Sequence, residues 1–137
     1  MKKTFKREIE SLRAVFEFVH GFIEENGLEK KLRLMFDLAL EELFVNMVRY
    51  NQENTNPVEI ELLLDDEKFE AVLIDRDVDE FDISRYEPYE TQQLIEERRV
   101  GGIGIHLVKK VMDDVSYEYK DRISRVVLTK YLRKSHV

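Results

Sequence analysis

The amino-acid sequence predicts an α+β fold, a two-layer sandwich with helices on one face of a mainly antiparallel mixed sheet. Three observations lead to this fold class. The chain opens with two long stretches whose apolar residues recur every three or four positions, as on one face of a helix. A strand hairpin follows, and after a polar loop and a third helix a second hairpin closes the chain. Elements in this order pack as a helical layer against a sheet.

The first two helices are predicted over residues 8–26 and 29–49. Asn26-Gly27 is a typical helix stop, and the turn-forming run NQENTNP at 51–57 ends the second helix. The apolar stripes are Ile9, Leu12, Val15, Phe16, Val19 and Ile23 in the first helix, and Leu32, Met35, Phe36, Ala39, Leu40, Leu43 and Met47 in the second.

The strands are predicted from short runs rich in β-branched and aromatic residues, at 58–64, 69–75, 115–120 and about 125–132. The polar segment DDEK joins the first two as an antiparallel hairpin. Residues 76–100 are mostly polar and predict a long loop, a kind that is usually functional or mobile in a compact domain. The third helix begins after Gly104.

Length and composition indicate one domain over residues 1–137. The chain has no cysteine, which excludes disulfides and thiolate metal sites. Its formal charge is −7 with dispersed lysines and arginines, so nucleic acid is not expected as a direct partner. The amino terminus lacks the apolar segment of a signal peptide, and no apolar run approaches the roughly 20 residues of a membrane span. A cytoplasmic location and no membrane partner are therefore expected.

The first candidate for chemistry is the pair Glu42 and Asn46 on the second helix. Four residues separate them, so they lie one turn apart on the same helix face, at the edge of the apolar stripe. A carboxylate can take a proton, and an amide oxygen can bind a hard cation. By itself this spacing is also compatible with a solvated helix flank.

The second candidate is Asp75, the last residue of a predicted strand. The acids that follow it suggest a calcium loop, but an EF-hand requires Gly at its sixth position and Glu at its twelfth, where this chain has Glu80 and Tyr86. The calcium hypothesis therefore fails. A carboxylate at a strand end can instead accept a hydrogen bond from an exocyclic amine, although an acid in a loop is commonly just solvated.

The third candidate is the segment Arg98-Arg99-Val100-Gly101-Gly102-Ile103-Gly104, directly before a helix. Three of the five glycines of the chain lie within four residues here. Glycines permit close backbone approach, a helix amino terminus presents free N–H groups to an anion, and the arginines can add charge-assisted bonds. These features favour phosphate binding. The segment is neither a Walker P-loop nor a Rossmann fingerprint, and a flexible hinge is the alternative.

Together and in this order, the three motifs resemble the GHKL ATP-binding superfamily, which includes gyrase, heat-shock chaperone, histidine kinase and MutL ATPase domains. The resemblance covers about residues 5–132 and is strongest to the stand-alone anti-sigma-factor serine kinases of bacteria, the RsbW and SpoIIAB type. It implies the GHKL ATPase fold, with ATP and Mg²⁺ as ligands.

The resemblance also implies site roles. Glu42 would be the general base, Asn46 the Mg²⁺ ligand, and Asp75 the acceptor for the adenine amine. The remaining positions that it implies as nucleotide-binding are the lid glycines Gly101, Gly102 and Gly104, the arginines Arg98 and Arg99 near the transferring charge, and Thr129 as a hydroxyl near adenine.

The chain departs from the family pattern in two places, the loop on the adenine side and the end of the second helix. Asp77 replaces the glycine of the pattern Asp-x-Gly-x-x-Phe-Asp, and one extra residue precedes Phe81-Asp82. Tyr50 stands where the family usually has histidine. A side chain at Asp77 is expected to narrow the site or weaken ATP binding.

The implied function is transfer of the ATP γ-phosphoryl group to a serine of an anti-anti-sigma (STAS) partner. The resemblance also implies sequestration of a sigma factor and a homodimeric state. The alternative is a sequestering module without kinase activity, which Asp77 favours. A histidine-kinase catalytic fragment ranks third, because no segment resembles a dimerisation and phosphoacceptor helix pair.

Overall fold

The computed structural model describes residues 1–50, 53–79 and 102–132 of the chain. Five strands form one sheet in the order β1-β2-β3-β5-β4, and every pairing among them is antiparallel. In chain order the elements are β1 (Lys2–Phe5), a 3-10 turn (Ile9–Ser11), α1 (Leu12–Glu25), α2 (Lys31–Tyr50), β2 (Val58–Leu64), β3 (Lys68–Arg76), α3 (Gly102–Val111), β4 (Asp114–Lys120) and β5 (Ile123–Tyr131).

The helices pack over one face of this sheet, as the α+β prediction required. The Phe69 ring of β3 contacts Phe22 of α1 and Phe36 of α2, with ring centroids 5.4 and 4.6 Å apart. Alternate residues of β3 after Phe69 are also buried, because every second side chain of a strand points to the same face. The predicted fold class is confirmed, with an open antiparallel sheet in place of a mixed one.

The second helix is central to the helical layer. α2 contacts both α1 and α3, and Phe36, Ala39, Leu40 and Phe44 within it are fully buried. Val108 and Met112 bring α3 and the residue after it into the same core. A helix surrounded in this way has little freedom to shift, so the polar residues on its remaining face are held in fixed positions.

The edge strand β1 was not predicted. It is four residues long, and only Phe5 is buried, so the sequence has no alternation to detect. Its pairing with β2 runs from Lys2 opposite Glu61 to Phe5 opposite Val58. This pairing places the residues directly after β1 beside the ends of β3 and α2.

The turn between β4 and β5 has two residues, Asp121 and Arg122, both in the left-handed region with φ of 53° and 62°. Such a turn matches the twist of the strands that it joins. Within the parts of the chain that the structure describes, no helix has the length and apolar character needed to cross a membrane.

Candidate functional site

Asp75 lies at the end of β3, on the face of the sheet that the helices cover. Its side chain is almost completely buried, and it forms an ion pair with Arg7, the second residue after β1. The Nη2 of Arg7 donates to Oδ1 of Asp75, and Nη1 lies 3.4 Å from Oδ2. Burial raises the pKa of Asp75, and the hydrogen bond and charge of Arg7 offset part of that rise.

The same guanidinium joins Asp75 to the second helix. Nη1 of Arg7 donates to the carbonyl oxygen of Met47 at 3.0 Å, and Nε donates to the carbonyl oxygen of Asn56 at 3.1 Å. Met47 directly follows Asn46 in α2. The end of β3 and this part of α2, which the sequence predicted as separate site elements, therefore meet around one side chain.

Asn46 is a buried polar residue with an unsatisfied amide. It is 7% exposed, and its Nδ2 has no hydrogen-bond partner within the described structure. The two ends of an asparagine amide are interchangeable by a half-turn, so Oδ1 can occupy the same point. An unpaired buried amide is costly unless a ligand completes it, and an amide oxygen is a common ligand of hard cations. Asn46 therefore fits a Mg²⁺ ligand.

Glu42 lies one helical turn before Asn46 and is half-buried. Burial raises the pKa of Glu42 above its ordinary value, the neighbouring Glu41 carboxylate raises it further, and Arg49 lowers it. A carboxylate with a raised pKa is a better proton acceptor when it is ionised at neutral pH. Its position and its electrostatics are both compatible with a general base.

The glycine-rich segment begins the third helix. Gly102 is the first residue of α3, and Gly104 lies in its first turn, so their backbone N–H groups belong to the helix end that has no internal acceptors. α3 packs against α2, the helix that carries Glu42 and Asn46. Gly101, Arg98 and Arg99 lie outside the described residues, as do Phe81, Asp82 and most of the predicted 76–100 loop.

Asp77, the first departure from the family pattern, has a φ of 60°. That backbone conformation favours glycine and is tolerated by aspartate. The Asp77 carboxylate accepts a hydrogen bond from Nε of Arg122 at 3.0 Å, and Arg122 also pairs with Asp79 at 3.1 Å. Asn54 donates to the Arg76 and Asp77 carbonyls. The backbone at Asp77 therefore has the left-handed conformation that glycine favours. The Asp77 side chain points toward Arg122 in the β4–β5 turn.

Thr129 is not brought to this site. It is paired with Glu70 across β5 and β3, and its hydroxyl donates to the Glu70 carboxylate at 2.7 Å. Glu70 follows Phe69, so this pair faces away from the helices. The residue opposite Asp75 is Ser124, a buried polar residue on the helix-covered face. The hydroxyl beside Asp75 is therefore that of Ser124, and Thr129, which the resemblance implied, lies on the opposite face of the sheet.

Sequence reasoning therefore missed two residues of the site. Ser124 could have been found from strand pairing, had the β4–β5 turn been placed at Asp121 and Arg122. Arg7 left no signal, because its partner Asp75 is 68 positions away.

Residues 5–130 match the sequence profile of the histidine kinase-like ATPase domain. The chain belongs to that family. Among the relatives of this kinase-like ATPase domain is a protein named serine-protein kinase RsbW from Listeria monocytogenes serotype 4a, 31% identical over 106 residues, and another of the same name from Staphylococcus aureus strain JH9, 32% identical over 109 residues. In each case the match spans 73% of this chain and 66% of the relative. These relatives confirm the resemblance to the anti-sigma-factor kinase type.

The kinase-like ATPase domain is also similar in fold to a solved structure, a chain of the SiaB–SiaC complex from Pseudomonas aeruginosa. The TM-score is 0.65 over 95% of this chain and 88% of that one, with 9% sequence identity. At that identity the likeness concerns the fold alone.

Proposed function

We propose that this domain binds ATP with Mg²⁺ and transfers the γ-phosphoryl group to a serine of a protein partner. The observation that carries the proposal is Asn46, a buried amide whose nitrogen has no partner among the described residues and which lies in the same helix as Glu42. Both side chains are the residue types that the family motif requires, and the profile match covers nearly all of the described structure.

Each residue has a physical role in this proposal. The amide of Asn46 would hold Mg²⁺, which neutralises phosphate charge when it is bound. Glu42 would accept the proton of the serine hydroxyl as its oxygen attacks phosphorus, and the bond to the leaving ADP oxygen breaks. The N–H groups of Gly102 and Gly104 would donate to phosphate oxygens, with Arg98 and Arg99 as additional charge. Asp75 and Ser124 would face the base.

The relatives support a protein partner as the phosphoryl acceptor. Proteins named serine-protein kinase suggest a protein serine as the acceptor, and the anti-sigma-factor type suggests that this serine lies on an anti-anti-sigma (STAS) domain. Regulation of a sigma factor by partner switching and a homodimeric state complete the proposal. A cytoplasmic location accords with it.

The test for catalysis is Glu42→Gln, assayed with Mg²⁺-ATP and candidate STAS domains. The substitution removes the base and retains the shape, so ATP affinity should stay nearly constant while transfer falls by roughly 10²–10⁴-fold. Since the base must be ionised, the wild-type rate should fall as pH decreases through the raised pKa of Glu42, and that inflection should lie above 4.5, the ordinary value.

Glu41→Gln is the matched control, because Glu41 is the exposed neighbour in the same helix. It should retain most of the transfer activity and lower the pH of the inflection slightly, since one source of the raised pKa is removed. Equal transfer by wild type and Glu42→Gln would contradict the role of Glu42.

A sequestering module without kinase activity is the second candidate function. The ion pair that Arg7 makes with Asp75 favours it, because the carboxylate expected to face adenine already has a partner. In that case wild type and Glu42→Gln would both bind the protein partner, and neither would phosphorylate it.

A further inference from the structure

The environment of Arg7 is unusual for a residue that follows a short edge strand. Its side chain is 3% exposed, and its guanidinium contacts three acceptors, namely the Asp75 carboxylate and the carbonyl oxygens of Met47 and Asn56. Arginine presents its donors in a rigid planar fork, so this set of acceptors holds it in one orientation. Nothing in the proposed phosphoryl transfer uses Arg7.

The ion pair with Arg7 occupies the Asp75 carboxylate. Both carboxylate oxygens face the guanidinium, and the Asp75 side chain is only 3% exposed. A base amine would have to approach one of those oxygens at hydrogen-bond distance. Each oxygen could accept a second hydrogen bond, but the guanidinium lies against both oxygens and the Asp75 side chain is nearly covered, so we expect the amine to reach it only after Arg7 moves.

The segment that carries Arg7 follows a short strand at the edge of the sheet. β1 has four residues at the edge of the sheet, with only Phe5 buried. Between β1 and α1 the backbone bonds are local. The Glu8 N–H and the Ser11 hydroxyl donate to the Lys6 carbonyl, and the Ser11 N–H donates to the Glu8 carbonyl. Edge segments with few buried contacts open more easily than the core.

We propose that Arg7 is an affinity-determining residue that competes with adenine for Asp75. This inference rests on the proposed function, because it assigns Asp75 to the base. Arg7 occupies the carboxylate when no nucleotide is bound, and the adenine amine takes its place when ATP enters. ATP therefore binds more weakly than it would without Arg7. A partner protein that moves β1 away from α2 increases the affinity for ATP.

The opposite role would be positioning, in which Arg7 remains beside Asp75 and orients it for the base. The two roles predict opposite changes in ATP affinity when Arg7 is removed. Removing a competitor increases ATP affinity, whereas removing a positioning residue decreases it. The contacts of both Asp75 oxygens with Arg7 argue for displacement, since the base amine has to reach the carboxylate that the guanidinium covers.

The experiment is calorimetric titration of Mg²⁺-ATP into wild type, Arg7→Ala and Arg7→Lys. Arg7→Ala should bind ATP roughly ten-fold or more tightly, because entry no longer breaks charge-assisted bonds, which are among the stronger hydrogen bonds in proteins. Arg7→Lys keeps the charge that Asp75 needs and loses the fork, so an intermediate affinity is expected. Arg13→Ala, at an exposed arginine of α1, is the matched control and should bind like wild type.

Inosine triphosphate separates competition at the base from a general change in the pocket. It has the same phosphates as ATP and carries an oxygen in place of the amine, so it makes no use of the Asp75 acceptor. Arg7→Ala should therefore gain affinity for ATP and not for inosine triphosphate. An equal gain for both nucleotides would overturn the proposal.

A measurement on the wild-type protein covers the case in which Arg7→Ala does not fold. The Nη2–H groups of Arg7 donate to Asp75 from a side chain that is 3% exposed, so their NMR resonances should exchange slowly with water and should lose this protection as Mg²⁺-ATP is added. Protection that persists at saturating ATP would overturn displacement.

The outcomes distinguish this inference from the proposed function. If wild type binds ATP and Arg7→Ala binds it equally or more weakly, the competition is refuted and ATP binding stands. If only Arg7→Ala binds ATP, both ideas are supported. If none of the variants binds any nucleotide, both fail.

Discussion

Asp77 illustrates how a single residue can depart from a family pattern and keep the local backbone. Its φ of 60° is the conformation for which glycine is suited, and its carboxylate is bonded to Arg122 on the neighbouring turn. The two side chains are 69% and 55% exposed, so the ion pair contributes little to stability. The sequence alone indicated a side chain beside the nucleotide, whereas the structure turns it to the β4–β5 hairpin.

At this position we expect Asp77→Gly to be about 1 kcal/mol more stable than Asp77→Ala. Both variants lose the same ion pair, so the difference isolates the left-handed backbone, which alanine adopts with strain. Chemical denaturation measures the free energy of unfolding of each.

The control for that comparison is Asp66, an exposed aspartate of the β2–β3 turn that does not have a positive φ. There the glycine variant should be no more stable than the alanine variant. The same ranking at both positions would contradict the backbone explanation.

At the scale of elements, β5 shows how strand alternation places two hydroxyls of one strand on opposite faces of the sheet. Ser124 is opposite Asp75 on the helix-covered face, and Thr129 is bonded to Glu70 on the other. Five residues of an extended strand also separate the two hydroxyls by roughly 17 Å along the sheet. Of these two hydroxyls, only that of Ser124 lies beside Asp75.

We therefore expect Ser124→Ala to weaken ATP binding several-fold, because a buried polar contact near the base is lost. Thr129→Ala should leave ATP affinity unchanged and lower the free energy of unfolding by about 1–2 kcal/mol through the loss of its bond to Glu70. Calorimetry and denaturation on the same two variants give both quantities. Weaker ATP binding by Thr129→Ala alone would restore the original assignment.

For the whole molecule, a ligand that binds only the folded state must raise its stability. At Mg²⁺-ATP one hundred times the dissociation constant, the expected gain is about 2.7 kcal/mol. A thermal-shift series in ATP should therefore saturate, and the shift should be smaller without Mg²⁺ because Asn46 then has no cation to hold. The absence of any shift at millimolar Mg²⁺-ATP would contradict nucleotide binding.

Two asparagine variants test whether the ATP-dependent thermal shift depends on the proposed Mg²⁺ ligand. Asn46→Ala should remove the Mg²⁺-dependent part of the shift. Asn26→Ala, at the carboxyl end of α1, should lower the melting temperature of the free protein slightly through its lost bond to the Phe22 carbonyl and leave the ATP-dependent shift intact.

The sequence by itself determined the helices, the four longer strands and the α+β class, because each depends on local periodicity and turn residues. α2 is observed at Lys31–Tyr50 against a predicted 29–49, and β3 at Lys68–Arg76 against 69–75. It also indicated Glu42, Asn46 and Asp75 as candidate residues, since their motifs are local. The sequence did not predict the short edge strand β1, because only one of its four residues is buried and no alternation of apolar and polar residues results.

Only the tertiary structure decided which of these residues meet. The contact of Arg7 with Asp75 and α2 depends on how β1 pairs with β2, and no local pattern encodes that pairing. The face of Ser124 and Thr129 depends on strand register, in which a displacement of one residue moves every side chain to the opposite face. Secondary structure follows from neighbours in the chain, whereas a site assembled from distant segments follows from packing.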